Sequence, residues 1–346
     1  MTGRQASREA PARVDLVGGG VAAACCAHLL GNAGIACHWQ RGTRSAVPAL
    51  MLSDPARTLL RDVMDAPTLF ETNARIERRV VVWGGGEPVT MPHGAVMLGA
   101  GELELELPGT QAAATGRPGT KASFTIHTDA PPPGTGITRY GDRRGETVPV
   151  TLREVADAHT CWIEAVESGW MFMIPSGDEG RGWLLAIGGP LSRLLGESRH
   201  LAARVEPDGT PPRSFDTTPR MLDAFCAQDW LACGSRSMAF DPICGDGTAL
   251  AVRQALLVSA VVRAAQEGED TDALFGHYRA MMIAAMRRHL RLCAQFYASG
   301  GEGAWWQAQR AAIAEGFAAC TALLEREPEP RFVLDGTRLI RKGNSQ

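Results

Sequence analysis

With 346 residues, a formal net charge of −3 and 45% hydrophobic residues, the chain has core enough for one large or two modest domains. That charge balance excludes a surface built for nucleic acid or another polyanion. Nine cysteines, odd in number and without a C-x-x-C pair, exclude a disulfide framework and the usual zinc quartets, so reduced core thiols and no metal are expected.

Residues 1–12 read as an unstructured polar lead without a secretory signal pattern, and no apolar run reaches about 18 residues. The expectation is a cytoplasmic chain without a membrane span. The most informative stretch follows at Val14–Gly34, V-D-L-V-G-G-G-V-A-A-A-C-C-A-H-L-L-G-N-A-G. A short apolar strand runs into three glycines, and an Ala-rich helix ends at Gly31 or Gly34. Gly18-x-Gly20-x-x-Ala23 matches the G-x-G-x-x-G/A turn of a dinucleotide-binding βαβ unit. Glycines permit the tight turn and let backbone approach a pyrophosphate; the helix start adds free N–H groups and a positive dipole end. The next strand, Ile35–Trp39, leads to Gln40 and Arg41, where an acid would ordinarily hold the adenosine ribose. Gln40 can bond a ribose hydroxyl without charge, and Arg41 suits a phosphate, so NADP stays open at this point.

An apolar patch at 47–52 precedes a helix over Pro55–Met64, capped by Ser53 or Asp54. Arg78–Trp83 reads as a strand closed by Gly84–Gly86. Segments 88–107 and 122–128 alternate apolar and polar residues as half-buried strands do. The polar loop Thr110–Gly119 lies between them, and a proline-stiffened connector, Ala130–Gly136, follows. Strands are predicted at 146–152, 160–166, 169–175 and 182–188, with turns at Glu167–Gly169 and Gly177–Arg181. From about residue 220 the helical period returns. It predicts a short helix over Pro219–Gln228, a strand over Trp230–Cys233, and long helices over Gly247–Glu267, Thr271–Ser299 and Glu302–Glu327. The expected fold class is α/β. A Rossmann-type nucleotide domain, discontinuous over 13–90 and 215–300, holds an inserted antiparallel β-sheet substrate domain over 91–214. A helical tail follows over 301–346.

The second anchor, Trp230–Ala251, reads W-L-A-C-G-S-R-S-M-A-F-D-P-I-C-G-D-G-T-A-L-A. Its glycines stand at a helix start, where backbone N–H groups can meet anionic or electron-rich atoms such as the O2/N1 edge of a flavin. Together with the βαβ unit, it resembles the FAD-dependent monooxygenases of the p-hydroxybenzoate hydroxylase and tryptophan halogenase superfamily. There the matching segment reads roughly G-D-A-x-x-x-x-D-P-x-x-x-x-G before a helix. Gly169–Pro175, G-W-M-F-M-I-P, resembles the G-W-x-W-x-I-P strand of flavin halogenases, with Phe172 for the second Trp. The resemblance covers the βαβ unit and about 160–265.

It implies FAD as cofactor and the nucleotide domain as its holder. Gly18, Gly20, Ala23, Gln40 and Arg41 would serve one end of FAD; Ser235, Asp241, Pro242, Gly245 and Gly247 would serve the other. The family's aspartate touches the ribityl chain, and the D-P turn borders the isoalloxazine. Trp170 and Phe172 would line the substrate pocket. Ser235 replaces the family's Gly-Asp acid and Gln40 the ribose acid, which implies a weaker hold on FAD. Halogenases carry a lysine past the βαβ unit; here the lysines are Lys121 and Lys342, which argues against halogenation.

A narrower resemblance is carried by Arg144–Val150, Ala158–Glu164, Gly169–Pro175 and the Asp241–Gly247 turn. It is to flavoproteins of tryptophylquinone biogenesis, which hydroxylate a tryptophan inside a partner protein. The implied reaction is hydroxylation of an electron-rich aromatic ring through a flavin C4a-hydroperoxide, with reducing equivalents from an external source. The substrate is a tryptophan of a partner protein during quinone maturation, or a free small aromatic. Glu164, His127 and Asp241 are the candidate catalytic groups, with Tyr140 a further polar group. Glu164 shares a strand face with Trp162, and Pro242 holds Asp241 extended. Two alternatives stay open: a flavin-dependent reductase or oxidase of the same fold, and a degenerate flavoprotein acting as a maturation scaffold. Trp305-Trp306 reads as a core pair or a docking patch.

Overall fold

The computed structural model describes residues 13–42, 48–99, 101–108, 123–129, 132, 134–177 and 180–343. The expectations for residues 1–12, for the Thr110–Gly119 loop and for Lys121 lie outside them, as do Ala130, Pro131 and Pro133 of the connector.

Strand β1 (Arg13–Val17), helix α1 (Gly20–Asn32) and strand β2 (Ala36–Gln40) form the predicted βαβ unit. β3 (Ala49–Ser53) runs into α2 (Asp54–Met64), where Ser53 Oγ accepts the Ala56 N–H at 3.4 Å as N-cap. β4 (Arg75–Val82), β5 (Val89–Gly99), α3 (Glu102–Glu106), β6 (Phe124–His127) and β7 (Ile137–Arg139) follow. Next come β8 (Arg144–Leu152), β9 (Thr160–Val166), β10 (Gly169–Pro175), β11 (Arg181–Ile187) and α4 (Leu191–Glu197). Short strands β12 (Val205–Pro207), β13 (Arg213–Asp216), β14 (Arg220–Leu222), β15 (Cys226–Ala227), β16 (Trp230–Ala232) and β17 (Met238–Ala239) lead to the helices. These are α5 (Gly247–Gln266), α6 (Thr271–Ala298) and α7 (Ala304–Leu324), followed by the hairpin β18 (Phe332–Asp335) and β19 (Arg338–Arg341).

The first sheet has the order β15-β16-β6-β1-β2, with β16, β6, β1 and β2 parallel. β2 and β6 lie on opposite sides of β1, so the chain changes direction across the sheet there, the place where open α/β sheets bind ligands. The second sheet runs β12-β8-β11-β10-β9-β4-β5-β3, with β13 also on β8. Its pairs are antiparallel except β4 with β9. One face, with Trp162, Met171, Met173 and Leu184, is covered by Leu191 and Leu194 of α4 and by Leu201. Ile163, Trp170 and Ile187 on the other face join the large core that includes α1, α5 and α6.

Several elements depart from the sequence reading. β6, expected inside the 91–214 substrate segment, pairs with β1 and β16 in the nucleotide sheet. β3 and β4, expected within the 13–90 nucleotide segment, belong to the second sheet. Pro219–Gln228 is not a helix but β14 and β15. Its backbone is taken by neighbours, with the Leu222 N–H on Ser237 O and the Asp223 N–H on Gly136 O. The 301–346 tail is helical only to Leu324 and ends in a hairpin that turns at Gly336, φ +56°. α5 is long and apolar enough to cross a membrane by composition alone, against the expectation of no such segment. Val252, Ala255, Val258, Val261 and Val262 are wholly buried in the core, which accounts for that composition. Trp306 is also fully buried, donating its Nε1–H to Val166 O at 2.8 Å, so the tryptophan pair ties α7 to the second sheet.

Candidate functional site

β1, β6 and β16 end along one edge of the parallel sheet, and their turns interlock. The Gly18 N–H donates to Gln40 O at 2.9 Å, and Trp39 Nε1 donates to Gly18 O at 2.8 Å. Thr128 Oγ1 donates to Val17 O at 3.2 Å. Gly18 has φ +117°, and a Cβ there would stand 2.4 Å from Thr128 Oγ1, so only glycine fits. The α1 N-terminus has no side-chain cap at Gly19, leaving its first N–H groups for an anion. Arg41 stacks its guanidinium over the Trp39 ring at 4.2 Å, while the Gln40 and Arg41 side chains are exposed beside the turn. Ala23 is fully buried and serves helix packing rather than contact with a ligand.

Asp129 is the acid that sequence reading missed. It follows β6, and its Oδ2 would lie 3.3 Å from a Cβ on Gly19 and 2.9 Å from one on Gly42. That oxygen is enclosed and makes no hydrogen bond among the described residues, so an acceptor waits at the glycine turn where Gln40 offers no charge. An acid directly after a nucleotide-sheet strand is the signal, but it requires β6 to be placed in that sheet. The third turn comes from β16. Gly234 has φ +83°, and its missing Cβ would stand 3.0 Å from Thr128 O and 3.2 Å from Ala22 Cβ. The half-buried Ser235 beside it makes no hydrogen bond among the described residues.

The D-P turn is built from below. Asp241 is fully buried. Its Oδ1 accepts the Ile243 N–H at 2.9 Å and its Oδ2 the Tyr297 hydroxyl at 2.7 Å. The equally buried Arg143 lies 3.4 Å from Oδ2, with its guanidinium 4.8 Å from the centre of the Tyr297 ring. Burial raises the Asp241 pKa, opposed by Arg143 and the two hydrogen bonds. The Asp241 N–H donates to His289 Nε2 at 2.8 Å, and that ring stacks on Phe240 at 3.9 Å. Burial and Arg143 push the His289 pKa down to about 3, so the imidazole is neutral, as an acceptor must be. Pro242–Cys244 form one 3-10 turn, closed by Gly245 at φ +61°. A Cβ on Gly245 or Gly247 would meet no atom within 4 Å, so the turn leaves space on its outer side. That space, the uncapped α1 start and the orphaned Asp129 oxygen fit a bound dinucleotide such as FAD.

A cleft of about 310 Å³ opens between this turn, α6 and the second sheet. Phe240, Met51 and Leu292 give it apolar walls; Arg79, His93 and Arg288 give it a basic side. Arg79 Nη2 lies 2.9 Å from His93 Nε2, and burial with Arg79 pushes the His93 pKa down to about 4.

The other expected site residues lie apart from this cleft. Glu164 is buried on the opposite face of the second sheet. It accepts four hydrogen bonds, from the Ser198 hydroxyl at 2.6 Å and the N–H groups of Arg199, His200 and Leu201 at 2.8, 3.2 and 2.8 Å. A carboxylate so engaged anchors the 198–201 segment and leaves no lone pair for chemistry. His127 sits in the parallel sheet, edge-on to Trp230 at 6.3 Å, and does not line the cleft. Asp241 stands one residue behind the cleft wall with its carboxylate enclosed. Tyr140 is buried with its hydroxyl 3.3 Å from Cys320 Sγ. Trp170 is fully buried with its side chain against Tyr297, and Phe172 is half-buried near Met51 and Ile174; neither lines the cleft.

One donor cluster was not anticipated. Ligand atoms of Cys244, His289 and Cys293 lie within 4.8 Å of one another, where no metal was expected. His289 Nε2 already accepts the Asp241 N–H. The Cys244 contact, at 3.9 Å, and burial hold the Cys293 thiol well above its ordinary pKa. As folded, the three form a hydrogen-bonded thiol–imidazole chain.

No protein-family model matches the chain, and no curated protein matches its sequence. Solved structures do share its fold. QhpG, a peptidyl tryptophan dihydroxylase essential for tryptophylquinone cofactor biogenesis, superposes with a TM-score of 0.69 at 16% identity, over 96% of this chain and 86% of its own. The flavin-dependent halogenase CmlS gives 0.73 at 15%, over 92% and 72%. Klebsiella pneumoniae HpxO, complexed with FAD and uric acid, gives 0.62 at 16%, over 92% and 97%. The chain therefore shares its overall fold with QhpG, CmlS and HpxO.

Proposed function

We propose that the chain is a FAD-dependent monooxygenase that hydroxylates an electron-rich aromatic ring, with a tryptophan of a partner protein as substrate. The observation that carries this reading is the set of turns at one sheet edge. The uncapped glycine turn, Asp129 and Ser235 meet there, and the D-P turn, open at Gly245 and Gly247, borders the cleft. The likeness to QhpG over nearly the whole chain supports the choice of substrate. FAD, once bound and reduced, would supply the activated oxygen.

The chain's own residues would do the rest. The α1 N–H groups would hold the pyrophosphate, and Asp129 and Gln40 would meet sugar hydroxyls. Arg143 and Tyr297 fix Asp241, and Asp241 fixes the turn. Phe240, backed by His289, offers a flat platform for a ring. Asp246, the one acid on the cleft wall among the described residues, is paired with Arg253 at 2.8 Å, so these residues offer no free carboxylate there to act as base. An indole needs none, whereas a phenol would gain from one.

The test is to supply FAD, a reductant, O2 and a tryptophan-bearing peptide, then follow the peptide by mass spectrometry. The reading predicts a gain of oxygen on the indole and substrate-dependent O2 uptake. Bound flavin with neither would favour a reductase.

A further inference from the structure

Arg79 and Arg288 are the cations of the cleft, and neither has an acidic partner among the described residues. Arg288 is exposed on α6. Arg79 is half-buried, its Nη2 donating to the neutral His93 at 2.9 Å and its side chain also bonded to the Cys161 thiol, while its Nε is enclosed without a hydrogen bond among the described residues. Asp246 and Asp54, acids near the cleft among the described residues, are both engaged. Asp246 is held by Arg253 at 2.8 Å. Asp54, the acid that His93 senses, is held by Arg75 at 2.9 Å and by Arg57 at 3.0 Å. The cleft thus combines apolar walls with two guanidinium groups that no carboxylate neutralises among the described residues, and the half-buried Arg79, partly desolvated and held only by a neutral imidazole and a thiol, favours an anion beside it.

We propose that this cleft selects an aromatic substrate that carries a carboxylate close to its ring. The ring lies against Phe240, Met51 and Leu292, and the carboxylate on Arg79 and Arg288. The ring rests on the hydroxylase reading above; the carboxylate preference rests on the two arginines alone. The carboxylate belongs either to a small aromatic acid or to an acidic residue flanking a tryptophan in a protein. Both present the same chemistry to the cleft.

Calorimetric titration with two matched pairs tests this, on protein with and without FAD. The pairs are indole-3-acetate against 3-methylindole, and the capped peptide Asp-Trp-Glu against Asn-Trp-Gln. At low salt, the anionic member of at least one pair is expected to bind about ten-fold tighter or more, as hydrogen bonds to charged groups allow. High salt should shrink that ratio. Preference in the peptide pair alone assigns the carboxylate to a protein substrate; preference in the indole pair alone assigns it to a small molecule. Arg288→Glu, on an exposed helix position, should bring the ratio near one, and Arg79→Gln should lower it. Equal binding of neutral and anionic members in both pairs would overturn the proposal, as would a preference that survives both substitutions. If FAD binds but the preference is absent, this inference alone fails. If the preference is present but FAD does not bind, the hydroxylase reading fails and the anion site stands.

Discussion

Tyr297, on α6, donates its hydroxyl to Asp241 Oδ2 at 2.7 Å, while Arg143 approaches the same oxygen at 3.4 Å. The D-P turn at the cleft is therefore set by a buried carboxylate whose partners come from distant parts of the chain. Tyr297→Phe leaves that oxygen one donor short at an expected loss of about 1–3 kcal/mol. Asp241→Ala strands the Arg143 guanidinium and should cost about 3–5 kcal/mol. Urea unfolding of the two variants checks both the size and the order of these losses.

Glu164 provides the contrast. Its four hydrogen bonds all go to residues 198–201 on the face away from the cleft. Glu164→Ala should destabilise by about 3 kcal/mol or more, since it orphans several buried donors. FAD affinity of the folded variant should stay within about two-fold of the parent, as expected for distant, independent sites. Loss of FAD binding in a folded, stable Glu164→Ala protein would return this residue to the site.

Gly18→Ala puts a Cβ 2.4 Å from Thr128 Oγ1 and 2.6 Å from Asp129 N, at φ +117°. The turn must then move away from the end of β6. A stability loss of about 2 kcal/mol or more is expected, together with loss of FAD uptake. Thermal melts with and without FAD separate the two effects, because only ligand binding raises the midpoint.

His289 makes stability depend on pH. Its folded pKa is pushed down to about 3 from an ordinary 6.5. Between these values the unfolded chain binds a proton that the folded chain refuses, so stability falls as pH drops from about 6.5 toward about 3. His93, pushed down to about 4, acts in the same direction over the upper part of that window. Denaturation midpoints measured from neutral pH downward should fall, and less steeply in His289→Gln. An equal slope in that variant would contradict the assignment.

The parts of the fold legible in the sequence are those written in local pattern. The glycine turn after an apolar strand marked β1–α1–β2, the strands read at 146–152, 160–166, 169–175 and 182–188 are β8 to β11, and alternation along β9 put Glu164 on the face of Trp162. Sheet membership is not local. The alternation of β6 says it is a strand, but only its pairing with β1 and β16 says which sheet it joins. Asp129 stayed hidden with it. The cleft was invisible for a related reason: Arg79, His93 and Arg288 come from β4, β5 and α6 and share no sequence signature. Asp241 was noticed for its proline, while its burial depends on Arg143 and Tyr297, which no motif connects to it.

FAD binding is tested most directly by the visible absorption spectrum of the purified protein titrated with FAD. The turns at Gly18, Asp129 and Ser235, with the open face of the D-P turn, predict oxidised-flavin bands that saturate at one FAD per chain. Asp129→Ala should weaken that binding. A protein that stays colourless and takes up no FAD at high concentration would contradict a flavin site at these turns and leave a chain that keeps the fold without the cofactor.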